Sequence, residues 1–198
     1  MQSKWTYAVF TLTLLTGCVS QPPYIPKTDE QTKQESLDET IVSMKERGAT
    51  QDQIDSLIAH SKLSFEDQLK SRISTISTPG ENLVDLVDGG LFYCDLKRSS
   101  LKTPISYEYT RKLQNELVEC VSTSSRVITN YYYDDYISSS GSDAVKATVD
   151  ETYLKWNSYL DSIFNSSPSY LQDQASLGVK DQINRTRLVF VREAQKKQ

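Results

Sequence analysis

Three cysteines, a single histidine, and a few serine–lysine and carboxylate pairs are the groups of this 198-residue chain with chemistry to offer. Ser99-Ser100-Leu101-Lys102 has the S-x-x-K spacing of an acyl-enzyme nucleophile, where a lysine one helical turn away assists the serine. The S-D-N and K-T-G elements that complete such a site are absent. The chain is rich in Ser and Lys, so a chance match is expected, and the following Thr103-Pro104 puts the tetrapeptide in a loop before a helix. His60 would have to serve any Ser-His-Asp triad. It falls in a short amphipathic segment beside Ser61-Lys62, where a solvent-facing or helix-end role is the plain explanation. Asp134-Asp135 and Asp150-Glu151 are carboxylate pairs of the kind used in acid/base work on glycans. A solvated helix face explains them as well. There is no G-x-S-x-G, no P-loop and no dinucleotide fingerprint. Asp134 and Asp135 with Asp143 do not have the spacing of an EF-hand loop. No catalytic residue, metal site or cofactor is assigned, and the chain is read as non-enzymatic.

Tyr131-Tyr132-Tyr133-Asp134-Asp135-Tyr136 is the most distinctive stretch beyond the N-terminal segment. On an α-helix these tyrosines point several ways, so Tyr132, Tyr133 or Tyr136 is expected to stay partly exposed. Exposed tyrosines are common at interfaces, where they add contact area at low entropy cost. Tyr132, Tyr133, Tyr136, Asp134 and Asp135 therefore form the candidate binding surface. The alternative is packing against neighbouring helices with the hydroxyls at the surface.

The N-terminal segment carries Lys4 near its start, an apolar run from Tyr7 to Leu15, and then Leu15-Thr16-Gly17-Cys18. That is the layout of a secretory signal: charged start, apolar middle, small residues before the cut. The run is too short for a membrane span of about twenty apolar residues. Leu15-Thr16-Gly17-Cys18 resembles the lipobox of bacterial lipoproteins. The resemblance implies that residues 1–17 are removed, that Cys18 is joined to diacylglycerol, and that its new amino terminus is acylated. More than one acyl chain is needed for stable attachment, at about 0.8 kcal/mol per buried methylene. Lipoproteins retained in the inner membrane of many two-membrane bacteria carry Asp after the lipidated cysteine. By the same resemblance, Val19 favours the outer membrane; the domain is separately expected to face the periplasm.

With Cys18 lipidated, Cys94 and Cys120 remain. An even remainder in an oxidising compartment reads as a disulfide. The alternatives are a redox pair, which favours C-x-x-C spacing, and a zinc site, which needs about four ligands. Loss of residues 1–17 removes Lys4 and no acid, so the formal charge moves from -4 to -5. That balance argues against nucleic-acid binding, which calls for a basic stripe.

The elements that must position these groups read as helices. Residues 19–27 hold three prolines and suit a tether. Leu37, Ile41 and Met44 give the first helix a thin stripe before Gly48. That stripe covers the domain's own core or docks on a partner. Thr50 with Gln53 fits a capping box, ahead of Ile54, Leu57 and Ile58. Ser64 opens a segment with Phe65, Leu69, Ile73 and Ile76 at helical spacing. Thr78-Pro79 caps the next, which Gly89-Gly90 is expected to break or bend. Thr103-Pro104 begins a long helix through Cys120 and Ile128. Asp143 is expected to cap a helix carrying Val149, Trp156, Tyr159 and Phe164 inward. A last helix runs from Pro168, weakened by Gly178.

The fold expected is all-α: a bundle of about five to seven helices, stapled by one disulfide, on a flexible N-terminal tether. Its parts are a signal at 1–17, a lipidated tether at 18–34 and a helical periplasmic domain at 35–198. The function expected is a membrane-anchored module that binds an envelope protein, within a secretion-type or other envelope assembly. A peptidoglycan-binding or lysozyme-inhibiting lipoprotein is the alternative, and a cell-wall hydrolase the third.

Overall fold

The computed structural model describes residues 29–103 and 106–196. The signal at 1–17, Cys18, Val19 and the tether up to residue 28 lie outside the described residues. Among the described residues seven α-helices follow one another: α1 (Asp29–Glu46), α2 (Gln51–Ser61), α3 (Phe65–Lys70), α4 (Pro79–Ser100), α5 (Tyr107–Tyr131), α6 (Asp143–Phe164) and α7 (Ser169–Gln195). A π-helical turn, Tyr132–Tyr136, extends α5. Among the described residues there is no strand, and no helix is long and apolar enough to cross a membrane. The fold is all-α, as the sequence predicts.

The contacts divide the chain into two compact units, meeting between Ile54 and Asp55. In the first, α1 starts at Asp29, inside the stretch read as tether. Leu37, Ile41 and Met44 are half-buried. Gly48 ends the helix at φ +80°, with Gly48 N–H donating to Lys45 O and Ala49 N–H to Met44 O. This paired closure satisfies carbonyls that the helix end would leave free. Thr50 N–H then donates to Gln53 Oε1 at 2.9 Å, and Gln53 N–H donates back to Thr50 Oγ1 at 3.4 Å. The capping box read from sequence therefore opens α2.

In the second unit α4 is the central helix and packs against α3, α5, α6 and α7. Its start is fixed by a capping box between Thr78 and Glu81, with Pro79 in the first turn. Leu83, Val84, Leu86, Val87, Leu91 and Cys94 are buried, so apolar side chains point inward on several sides. Cys94 and Cys120 form the expected disulfide, with Cα atoms 5.6 Å apart, and join α4 to the middle of α5. Lys97 pairs with Glu116 on the same boundary at 2.7 Å. The two helices are therefore antiparallel.

Gly89 and Gly90 do not break α4. A Cβ at Gly90 would lie 3.1 Å from Ile128, 3.2 Å from Trp156 and 3.3 Å from Ser124. The glycine lets α5 and α6 approach the α4 backbone, and the helix runs through.

Helices α6 and α7 form an antiparallel hairpin. Thr186 Oγ1 lies 2.8 Å from Thr152 Oγ1 and 3.0 Å from Thr148 Oγ1, while Gln182 Nε2 donates to Thr148. These polar groups are satisfied across the seam, which removes the penalty of burying them. Arg98, buried at the end of α4, bonds Asp95 at 2.6 Å and Asp173 of α7 at 2.7 Å. Lys180 of α7 reaches Asp95 at 2.9 Å. Burial acts to raise the Asp95 pKa, but hydrogen bonds from Lys180 and Arg98 outweigh it and hold the carboxyl below its usual range.

Several details differ from expectation: Ser106, rather than Thr103, caps the long helix α5 by accepting from Tyr109 N–H, and Ser99-Ser100 ends α4 instead of lying in a loop. Helix α3 stops at Lys70, and Ile73 and Ile76 are exposed. The Asn82 side chain accepts from Ser74 N–H at 2.9 Å and donates to Ser74 O at 3.0 Å, giving that backbone partners outside a helix. Ser142, rather than Asp143, caps α6 by accepting from Val145 N–H. Phe164, at the end of α6, is exposed.

Candidate interaction groove

Helix α5 places Arg126, Val127, Asn130 and Tyr131 on one face. The π-helical turn continues that face to Asp134 and Asp135. Helix α3 packs alongside. Between them lies a groove of about 300 Å³, with Glu66, Lys70 and Ile73 on the α3 side. Val127 and Ile73 supply apolar lining, and Val127 is buried.

The α3 wall is internally paired. Arg126 grips both carboxylate oxygens of Glu66, with Nη1 at 3.1 Å, and Lys70 reaches Glu66 at 2.7 Å. The Arg126 hydrogen bond first, then that of Lys70, draws the Glu66 pKa down to about 2. Lys70 of α3 and Arg126 of α5 thus bring two cations to one anion where the helices meet. At the π turn Asp134 and Asp135 are exposed and make no ion pair among the described residues. The groove therefore holds an ion-paired cluster where α3 meets α5 and two exposed carboxylates at the π turn.

The π turn explains how a run of tyrosines is accommodated. Ile137 N–H donates to Tyr132 O at 3.0 Å, the wide spacing that defines such a turn. Tyr132 stacks on Tyr153 with ring centroids 3.9 Å apart and donates its hydroxyl to Asp150 at 3.1 Å. Tyr136 is buried and donates to Lys146 O at 3.2 Å. Burial first, and then the hydrogen bond to Asp150, pushes the Tyr132 phenol up to about 12. Burial also drives Tyr136 upward, with the nearby Asp150 charge second. Both hydroxyls are thereby kept as donors and anchor the turn to α6. Tyr133 alone of the three candidate tyrosines is exposed, at 61 %.

The candidate surface read from sequence is thus divided. Asp134 and Asp135 line the groove, and Tyr133 projects to solvent beside it. Tyr132 is half-buried. Tyr136 is corrected from the surface to the interior, because its ring and hydroxyl are taken up by the packing on α6. The lining residues missed were Glu66, Lys70, Ile73, Arg126, Val127 and Asn130. The i, i+4 spacing of Glu66 and Lys70 was a readable signal. Nothing in sequence placed α3 against α5.

The other candidate groups are not brought together. Lys102 binds both oxygens of Asp173, at 2.8 and 2.9 Å, and Ser100 Oγ donates to Leu96 O. His60 lies in the last turn of α2, where its backbone carbonyl accepts from Gln68. Asp150 holds Tyr132, as above. Among the described residues no three His, Cys, Asp or Glu side chains are placed to hold a metal ion. Comparison with family models, curated proteins and solved structures finds no match to the chain.

Proposed function

We propose that this protein is a lipid-anchored, non-enzymatic module that binds another protein of the cell envelope. Lipidation at Cys18 would hold it on the outer membrane, with the helical region facing the periplasm. The observation that carries the binding reading is the groove beside the π turn. Two exposed carboxylates without an ion pair and an exposed tyrosine stand on a turn that Tyr132 and Tyr136 anchor to α6. A fixed backbone presenting aromatic and charged side chains limits the entropy lost on association.

The test is site-specific photocrosslinking in intact cells expressing the full chain. A photoreactive residue replaces Tyr133, and in a control it replaces Ser158 on the exposed side of α6. A discrete envelope-protein adduct from position 133 and none from 158 is expected. No adduct, or the same products from both positions, overturns the reading.

A further inference from the structure

We infer that the outward face of α7 is a self-complementary interface, on which a second copy of this chain packs antiparallel across a two-fold axis. This goes beyond the reading above and does not use the groove. Leu177, Asp181, Arg185 and Leu188 follow one another at helical spacing, so they share one face of α7. All four are exposed, the leucines at 58 % and 57 %, and Val191 continues the face at 55 %. The other side of the helix, with Val179, Ile183 and Thr186, is buried against the bundle.

The order of the charges names the occupant. In chain order the face is apolar, acidic, basic, apolar. Reversed, it is apolar, basic, acidic, apolar. An antiparallel copy therefore sets Leu177 against the partner's Leu188 and Asp181 against the partner's Arg185. Each contact occurs twice, as a two-fold interface requires. A parallel copy would set acid on acid and base on base, which is repulsive. Neighbouring charges of α7 are engaged within the chain: Lys180 reaches Asp95, and Arg187 reaches Asp85 and Asp88. Asp181 and Arg185, although one turn apart, make no ion pair among the described residues. A second copy supplies the opposite charge to each without breaking a pair inside the chain.

Gly178 is an independent observation on the same flank. It lies in the interior of α7, where glycine weakens a helix. Unlike Gly90, it makes room for nothing in the chain itself, since a Cβ there would meet no atom within 4 Å. Open space beside Leu177 lets the backbone of a second helix come close.

The test is thiol cross-linking with a short bismaleimide in intact cells expressing the full chain. Asn184→Cys puts a thiol about 5 Å along the helix from its own copy, and Val191→Cys puts one about 25 Å away, at 1.5 Å per residue. A parallel pair would bring both positions equally close to themselves. The native chain, with Cys94 and Cys120 buried in their disulfide, is the baseline. A self-adduct is expected from position 184 and not from 191. On the Asn184→Cys background, Asp181→Arg alone and Arg185→Asp alone should each lower the adduct about tenfold, because like charges then meet twice across the axis. Both reversals in one chain should restore it. So should the two single-reversal chains expressed together. Thermal unfolding followed by circular dichroism checks that each variant is folded.

No adduct above baseline from position 184, or equal yields from 184 and 191, overturns the inference. So does full yield after either single reversal, or failure of both the double reversal and the mixture to recover it. The position-133 crosslink to an envelope protein is read separately, so either conclusion can fail without the other.

Discussion

Gly90 shows what a single missing side chain does in this bundle. Its neighbours Ile128, Trp156 and Ser124 come from two helices and leave a Cβ less room than ordinary van der Waals contact. Gly90→Ala is expected to destabilise by about 1–3 kcal/mol through overpacking, even though alanine gains about 1 kcal/mol in helix propensity. Gly89 has a different neighbour. A Cβ there would meet the Arg72 side chain, which can swing aside. Gly89→Ala should therefore fall within about 1 kcal/mol of the native chain. Urea unfolding followed by Trp156 fluorescence separates the two. If Gly89→Ala is the more damaging, close packing at Gly90 is not why α4 carries the pair. The sequence signal for these glycines was read as a bend because Gly-Gly weakens an isolated helix. What decided the outcome was the approach of α5 and α6, which no local pattern contains.

At the scale of elements, the α4–α5 joint combines a disulfide, an ion pair and the close approach at Gly90. Cys94 and Cys120 are 26 residues apart, so breaking their link frees a loop whose closure contributes about 3 kcal/mol. Cys94→Ala with Cys120→Ala is expected to lower unfolding stability by that amount. Far-UV circular dichroism should remain helical, because Val121, Ile128 and Leu91 stay buried on the same seam. Loss of helicity in water would mean that the disulfide, and not the packing, holds α4 to α5. Helix starts were legible at Thr50 with Gln53, at Ser64 and at Thr78 with Pro79, whereas Ser106 and Ser142 cap α5 and α6 where Thr103 and Asp143 were expected. Helix ends and turns were less legible. Asn82 draws Ser74 out of the helical run that Ile73 and Ile76 suggested. The π turn depends on Tyr132 finding Tyr153 and Tyr136 finding the Lys146 carbonyl. Half of the groove was readable for the same reason. Asp134, Asp135 and Tyr133 sit in one stretch of sequence, whereas Arg126 and Glu66 meet only through the packing of α3 on α5.

At the scale of the Asp55–Gln198 unit, its helices are joined by carboxylates that fold below their usual pKa. Glu66 links α3 to α5 and is drawn to about 2, foremost by Arg126. Asp173 links α7 to α4 and is lowered, foremost by the Lys102 hydrogen bond. Asp95 is lowered against its own burial by Lys180 and Arg98. Each carboxyl binds protons more weakly folded than unfolded. The stability it contributes is therefore present above the unfolded values of 4.5 for Glu66 and 3.8 for the aspartates, and is lost as pH falls. Unfolding stability should be level from neutral pH to about 5 and then decline toward pH 2. The three joints should not contribute equally. Glu66 and Asp173 lie near the surface, and salt screens them. Asp95 has a side chain only 14 % exposed and faces the buried Arg98. Hydrogen bonds to charged partners in such settings contribute about 1.5–3 kcal/mol each. Asp95→Asn should therefore lower stability at pH 7 and flatten the acid decline, and should do so at high salt as well. Glu66→Gln should have a smaller effect that fades as salt rises. Urea midpoints from pH 2 to 7, at low and high salt, make the comparison. An acid decline in Asp95→Asn as steep as in the native chain would show that protonation of Asp95 is not what acid acts through.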